Sequence, residues 1–392
     1  MGLRLAALGA LLVVVYAGPA AAGGSRVPDW AAPQIHDVVT RGLMGDSVAT
    51  FAPNSPLTRQ ALALLGWRLQ VKLTPPPTPA PTTPSPTAPA DTTTTSTDPT
   101  ATTTTSTDPA ATVPTTTTTA TTVTTTTTPA PVVTTPAPTP PPPPPKVSDP
   151  AARVTMTELD AHLVSVLGLT GAAAEFQQKA RAAGLRVPPR FGAEVVARLL
   201  GLRTNHPAAQ DFLELLPNDP ATRAEAAYSA AQIAGFGFLG NGWQIAAVQS
   251  LADSFQLPPF SSWQTRILDT AVARIGMPYV WGGTSDGPET DFGVWARGGY
   301  DCSGFVWRVY KLTPYAGERD LASVLRGRTT FVMSVEVPRS ERIPFAKLQP
   351  ADVIFFGAHG PRSSSAEVDH MAIYLATAGS SSRPGRASRS PR

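Results

Sequence analysis

The chain has 392 residues, enough for two or three domains, so its length alone excludes no class of function. The net charge of +3 is mild, and the aromatic residues are not interleaved with lysine and arginine as in a nucleic-acid stacking groove, which argues against nucleic-acid binding. The one cysteine, Cys302, excludes an internal disulfide, a paired-cysteine redox motif and a multi-cysteine metal site.

Residues 1–22 have the pattern of an export signal. A positive start is followed by the apolar run Leu5–Tyr16 and by the small residues Ala20–Ala22, which are typical of a cleavage site. A membrane anchor is the alternative, but the run is shorter than the roughly 20 residues that span a bilayer, and no later segment is long enough. We therefore expect a secreted, wall- or surface-associated protein without a membrane span once the signal is removed. An unpaired cysteine is unusual in such a protein.

Residues 27–72 predict two short helices joined by a loop. The order Trp30, Ile35, Gly42-Leu-Met-Gly-Asp and Phe51-Ala-Pro-Asn-Ser-Pro-Leu-Thr-Arg resembles an S-layer homology repeat, a module that binds cell-wall polysaccharide. In this resemblance, Thr58 caps the second helix, and the guanidinium of Arg59 suits an anionic sugar. An ordinary capped helix explains the same two residues.

Residues 73–147 form a threonine- and proline-rich linker that contains 21 of the 43 prolines. The stretch has too little apolar surface to fold, so we expect it to be disordered and extended. Residues 148–255 then hold two degenerate copies of the helix start, at Val154-Thr-Met-Thr-Glu and Ala221-Thr-Arg-Ala-Glu. We expect the three repeats to pack as one all-α unit, with Arg223 joining Thr58 and Arg59 in binding a secondary cell-wall polysaccharide.

Residues 262–378 have a different character. A helix is predicted to begin at Cys302, and the apolar runs 348–356 and 368–375 predict two antiparallel strands. The positive end of the helix dipole favours a thiolate, so we expect Cys302 to be nucleophilic near neutral pH. His370 lies on the second predicted strand and can approach Cys302 if the helix packs on that face. Alone, a single cysteine is more often an inert buried residue.

Four motifs, taken in chain order, support a catalytic role for Cys302 and His370. They are Pro278-Tyr-Val-Trp-Gly-Gly, Asp301-Cys-Ser-Gly-Phe, Leu348-Gln-Pro-Ala-Asp-Val-Ile-Phe-Phe and Asp369-His-Met-Ala-Ile-Tyr-Leu. Together they resemble the NlpC-type papain-like cell-wall cysteine peptidases. The resemblance covers residues 267–375 and implies an α+β core, a helix bearing the cysteine packed on a small antiparallel sheet. It implies cleavage of stem peptides of peptidoglycan, commonly at D-γ-glutamyl–diaminopimelate, with no metal or cofactor.

The resemblance also assigns roles to individual residues. Cys302 is the nucleophile, His370 the base, and Tyr279 helps to position or polarise the carbonyl. Asp301 and Ser303 match positions that contact a free amine of the substrate; packing and helix capping are the alternatives for Tyr279 and Ser303. His359, expected in a loop, is the fallback base.

The chain departs from this pattern near its end. The family's third polar residue, which orients the histidine, has Ser382 in roughly its place, and no His, Asn, Gln, Asp or Glu follows His370. Residues 379–392 form an Arg/Ser/Pro tail without strand character. We interpret the domain as truncated, by frameshift or otherwise; a basic tail that holds anionic wall polymers is the alternative.

The sequence thus predicts an exported, wall-anchored peptidoglycan hydrolase with a Cys–His mechanism. The main alternative is a catalytically inactive wall-binding protein that keeps the peptidase fold. A third possibility is an acyl or amide transfer enzyme on another substrate, because a thioester on cysteine is common to all of these reactions.

Overall fold

A computed structural model describes residues 10–12, 30–73, 143–238, 242–312 and 326–377. Most of the predicted export signal, nearly all of the linker, Ser382 and the tail 379–392 lie outside the described residues. The chain divides into two units, one of residues 1–74 with 142–392 and one of residues 75–141. All described residues belong to the first unit. Within them, no helix is long and apolar enough to cross a membrane.

The N-terminal part of this unit is helical. Among the described residues, the helices are α1 (Ala32–Thr40), α2 (Arg59–Leu73), α3 (Met156–Val166), α4 (Thr170–Ala182), α5 (Phe191–Leu199), α6 (Arg223–Phe238) and α7 (Trp243–Ser254), with a 3-10 segment at Ala208–Leu213 before α6. Buried leucine, valine, alanine and phenylalanine side chains from both sides of the linker form one core, so α1 and α2 pack with the helices that follow the linker.

The three repeated helix starts meet in a closed ring of backbone hydrogen bonds. The amide of Leu57 donates to the carbonyl of Ala221 (2.7 Å), that of Ala221 to Val154 (2.8 Å), and that of Val154 to Leu57 (3.0 Å). Each segment thus supplies one donor and one acceptor to the next, an arrangement with approximate three-fold symmetry. The segments that the sequence marks as copies are therefore equivalent in position.

A threonine follows each ring residue and caps the helix that leaves the ring. The hydroxyls of Thr58, Thr155 and Thr222 accept hydrogen bonds from backbone amides three residues later, at 3.2 Å in each case. Glu158 completes a capping box by accepting from the amide of Thr155 at 2.7 Å. These caps explain why α2, α3 and α6 begin where the sequence repeats.

Charged residues lie buried between the helices of this part. Arg203 donates to Asp160 (3.1 Å), Arg198 pairs with Glu194 (3.6 Å), and a ring nitrogen of His206 meets Glu214 (3.0 Å). Burial raises the pKa of Asp160 and of Glu225 in the same cluster, each to about 7. Ionised carboxylates are tolerated here only because guanidinium groups accompany them.

The C-terminal part combines three short helices with small antiparallel sheets. Its elements are α8 (Ser262–Val272), β2 (Thr284–Ser285), β3 (Glu289–Asp291), β4 (Val294–Ala296), β5 (Gly299–Tyr300), α9 (Cys302–Trp307) continued by a π-helix at Arg308–Leu312, α10 (Thr330–Glu336), β6 (Val353–Gly357) and β7 (Val368–Thr377). Strand β2 pairs with β5, β3 with β4, and β6 with β7. This mixture is the predicted α+β class.

Strand β7 is central to the site because α9 packs against it and β6 pairs with it. Its antiparallel register with β6 places Phe356 opposite His370. The short strand β1 (Ala10–Leu12), inside the predicted export signal, pairs with the other edge of β7. Strand β6 begins at Val353 and not at the predicted residue 348, because the amide of Gln349 donates to Asp352 (2.6 Å) in a turn in which Ala351 has a φ of 75°.

Candidate active site

Cys302 is the first residue of α9, as the sequence predicts. Asp301 caps this helix with extended backbone angles, and its carboxylate accepts from the amide of Gly304 and from the hydroxyl of Ser303 (3.0 Å). A Cβ on Gly304 would lie 1.9 Å from the carbonyl oxygen of Gly283, so only glycine allows α9 to approach this loop. The cysteine side chain is buried, with 7% of its surface exposed.

Strand β7 passes beside the sulfur. The backbone N–H of Met371 faces Cys302 Sγ and stabilises its thiolate form. The preceding residue, His370, is half-buried, and its ring packs on Phe356 with 5.7 Å between ring centroids. The Nε2 atom of His370 is buried without a hydrogen-bond partner among the described residues, and no hydrogen bond joins the ring to Cys302. The structure thus brings the predicted base to the strand segment that touches the nucleophile.

Tyr279 lies on the other side of the cysteine. Its hydroxyl is beside both the sulfur and the backbone N–H of Cys302, and the residue is 7% exposed. Burial, together with the nearby Cys302 and Asp301, raises the pKa of the Tyr279 phenol well above its usual range. The phenol therefore stays protonated and is available as a hydrogen-bond donor.

Burial raises the pKa of the Cys302 thiol, and the Asp301 carboxylate adds to this effect. The hydroxyl of Thr330, 3.5 Å from Sγ, and the amides of Met371 and Ser303 act in the opposite direction. Burial also lowers the pKa of His370. Both groups are therefore neutral at rest near pH 7, in contrast to the expected thiolate. The helix dipole favours the thiolate, but desolvation outweighs it here.

Asp301 and Ser303, the predicted amine-binding residues, already have partners. Arg328 donates from Nη1 to the hydroxyl of Ser303 (2.9 Å) and lies 3.5 Å from Asp301 Oδ1. Its Nη2 donates to the carbonyl of Gly282, whose amide in turn donates to Asp301 Oδ2 (3.0 Å). The two residues do lie next to Cys302, and their contacts within the protein are those of a helix cap and an arginine bridge.

Two residues of this site have no counterpart among the sequence predictions: Arg328 and Thr330. Both flank the start of α10, where the hydroxyl of Thr329 accepts from the amide of Val332 (3.3 Å). The pair of threonines could have predicted this helix start. No sequence signal links it to a cysteine 28 positions earlier. His359, the fallback base, is largely exposed and pairs through Nδ1 with Glu367 (2.7 Å).

The predicted polysaccharide-binding residues lie at the three-fold ring. Arg59 is about half exposed and is 4.0 Å from Glu158. Arg223 donates from Nε to the carbonyl of Phe51 (2.7 Å), and its guanidinium lies 4.6 Å from the centre of the Phe51 ring. Arg223 therefore packs repeats together, whereas the Arg59 side chain faces solvent.

Comparison with known proteins finds similarity in the part of the chain that contains the candidate active site. Residues 276–382 match the NlpC/P60 family model. The chain is 23% identical over 109 residues to a protein from Bacillus subtilis (strain 168) named gamma-D-glutamyl-L-lysine dipeptidyl-peptidase, and the match covers 28% of each chain. No solved structure matches. The residues that surround Cys302 thus fall inside a segment of NlpC/P60 type, a family of cysteine peptidases and hydrolases.

Proposed function

We propose that the NlpC/P60 domain makes this protein a peptidoglycan hydrolase that cleaves stem peptides by a Cys–His mechanism. One observation carries the proposal: Cys302 begins α9 with its sulfur against the Met371 amide of β7, one residue from His370, and with the Tyr279 hydroxyl beside it. A buried thiol next to a histidine and a protonated phenol has the groups that thioester chemistry requires.

The first half of the reaction forms a thioester. His370 takes the proton of the Cys302 thiol while the sulfur attacks the carbonyl carbon of the scissile amide. The Tyr279 hydroxyl and nearby amides are suited to stabilise the oxyanion. The C–N bond then breaks, the imidazolium gives its proton to the leaving amine, and the acyl group stays on Cys302.

The second half releases the acyl group. His370 accepts a proton from water as the water oxygen attacks the thioester carbonyl, the C–S bond breaks, and the thiol recovers its proton. The products are a carboxylic acid and an amine.

The proposed bond joins D-γ-glutamate to diaminopimelate in the stem peptide. The support is indirect: the B. subtilis relative is named for a γ-D-glutamyl-L-lysine bond, it matches over 109 residues only, and lysine and diaminopimelate are both diamino acids.

For the rest of the chain we propose export and attachment to the wall. The three ring-linked helix starts would form an S-layer-like unit for a secondary cell-wall polysaccharide, with the exposed Arg59 the best-placed cation for an anionic sugar. The threonine- and proline-rich linker lies between the first and second repeats in the order of the chain.

One observation favours a second candidate, a wall-binding protein without turnover. The buried Nε2 of His370 has no partner among the described residues, so no described hydrogen bond at this atom orients the ring for proton transfer. Under this reading the NlpC/P60 domain would still bind stem peptides.

Mass spectrometry of fragments released from purified peptidoglycan separates the two candidates. The full chain is compared with Cys302→Ala, and sedimentation with insoluble wall material is measured for both. Release that depends on Cys302 supports the hydrolase. Equal sedimentation with no release by either chain supports the binding protein. Release of equal amounts by both chains contradicts the cysteine mechanism.

A further inference from the structure

The loop 279–283 holds several parts of the candidate active site together. It carries Tyr279 against Cys302, the amide of Gly282 donates to Asp301, and the carbonyl of Gly283 accepts from the amide of Asp301 at 3.2 Å. A shift of this loop would therefore move both the phenol and the cap of the nucleophile's helix.

The middle of this loop is fixed by a residue from the helical part. The backbone amide of Trp281 donates to Asp211 Oδ2 at 2.8 Å. Asp211 lies in the 3-10 segment Ala208–Leu213, 70 positions earlier in the chain, and is only 3% exposed. Loss of this hydrogen bond is therefore costly in free energy, because the buried Asp211 carboxylate cannot readily bond to water instead.

Other contacts show that the two parts meet along a continuous junction. Arg190 donates to the carbonyl of Ile275 (2.8 Å) and Arg198 to that of Met277 (3.2 Å), just before the loop. Strand β4 packs against the segment that carries Asp211. The helical part thus binds the segment just before the loop through Arg190 and Arg198, and it binds the loop itself through Asp211.

We propose that Asp211 is a positioning residue of the hydrolase, which holds the loop 279–283 so that Tyr279 and Asp301 stay in place around Cys302. The inference rests on the proposed function and deepens it. The helical repeats are then part of the working active site as well as an anchor, and the segment that matches the NlpC/P60 family does not contain the whole of it.

The charge of Asp211 makes the bond sensitive to pH. Burial raises the pKa of Asp211 to about 7, while the Trp281 amide opposes this rise. The charged groups that face it are Glu214 and His206 from the helical part and Asp291 from β3. An ionised carboxylate accepts a hydrogen bond about twice as strongly as a neutral acceptor. The loop is thus held more firmly above about pH 7 than below it.

The test uses full-length Asp211→Ala and Asp211→Asn, with Arg186→Gln as the matched control. Arg186 pairs with Asp269 (2.8 Å) at the same junction, forms no hydrogen bond or ion pair with residues 279–283, and has a mostly exposed side chain. Two quantities are measured across pH: hydrogen exchange at the Trp281 amide, and kcat and KM for stem-peptide cleavage.

We expect Asp211→Ala to exchange the Trp281 amide faster and to lose about 10- to 100-fold in kcat with a smaller change in KM. Asp211→Asn keeps an acceptor, so it should recover most of the kcat but lose the component of the pH profile near 7. Arg186→Gln should resemble the native chain. Unchanged exchange and kcat in folded Asp211→Ala would overturn the proposal, as would an unaltered pH profile in Asp211→Asn.

The exchange measurement keeps this inference separate from the proposed function. If the native chain cleaves nothing, the hydrolase proposal fails, yet faster exchange at Trp281 in Asp211→Ala still supports Asp211 as the residue that holds the loop. If Asp211→Ala does not fold, Asp211→Asn decides through its pH profile and exchange rate.

Discussion

Replacement of Thr330 by valine tests how the site controls the acidity of its thiol. The two side chains have nearly the same shape, and Thr330 is buried, so the change removes the hydroxyl 3.5 Å from Cys302 Sγ with little disturbance of packing. A hydrogen bond to a charged group contributes about 1.5–3 kcal/mol, and one pKa unit corresponds to about 1.4 kcal/mol. We take the lower value, because sulfur is a weak hydrogen-bond acceptor. We therefore expect the pKa of Cys302 to rise by about one unit.

The assay is the rate of alkylation of Cys302 by iodoacetamide as a function of pH. Below the pKa, Thr330→Val should react about tenfold more slowly than the native chain, and well above it the two rates should converge. Ser334→Ala is the matched control, because Ser334 is a buried hydroxyl on the same helix that donates to the carbonyl of Phe331 (2.8 Å) and not to the sulfur. An unchanged or lower midpoint in Thr330→Val would refute the reasoning.

Further predictions concern the base and the buried charges. His370→Gln should lower stem-peptide cleavage about 10²- to 10⁴-fold while alkylation at high pH persists; cleavage at the native rate would exclude His370 as the base. At about pH 8, above the pKa of Asp160, Arg203→Met leaves the ionised Asp160 without its guanidinium partner and should cost about 3–5 kcal/mol in the free energy of unfolding by urea titration; a loss below about 1 kcal/mol would contradict a charged Asp160. Burial raises the pKa of Asp160 and Glu225 to about 7, so the folded state holds protons that the unfolded state has lost, and the melting temperature should fall as pH rises from about 5 to about 8. Glu225→Gln should flatten this dependence; an equal slope would assign it to other groups. Arg223→Ala should cost about 1–2 kcal/mol, measured by thermal unfolding, because it removes the hydrogen bond and ring contact with Phe51; no loss would make that contact incidental.

Local signals were sufficient for the elements that carry the site. Asp301 before an apolar helical pattern predicts the start of α9 at Cys302, and alternating apolar residues predict the antiparallel pair β6 and β7. The repeated threonines predict the helix starts that meet at the ring. In each case the start of the helix or the course of the strand depends on residues that are close in sequence, so the spacing of residue types predicts it.

Contacts between distant segments cannot be predicted from sequence spacing in this way. Arg328 meets Ser303 across 25 positions and Asp211 meets Trp281 across 70, and neither pair shares a periodic pattern. The rise in the pKa of Cys302 also depends on how completely the surrounding elements cover the sulfur. Helix position alone predicts a reactive thiolate, whereas burial by β7 and α10 opposes it.

Under the proposed function, Cys302 cleaves a γ-D-glutamyl amide. The most direct measurement incubates a synthetic tripeptide, L-alanyl-γ-D-glutamyl-diaminopimelate, with the full chain and with Cys302→Ala, and follows the release of free diaminopimelate by mass spectrometry. We expect release by the native chain that disappears in Cys302→Ala. Release that continues in the variant, or an intact tripeptide with a folded native chain, would contradict the account.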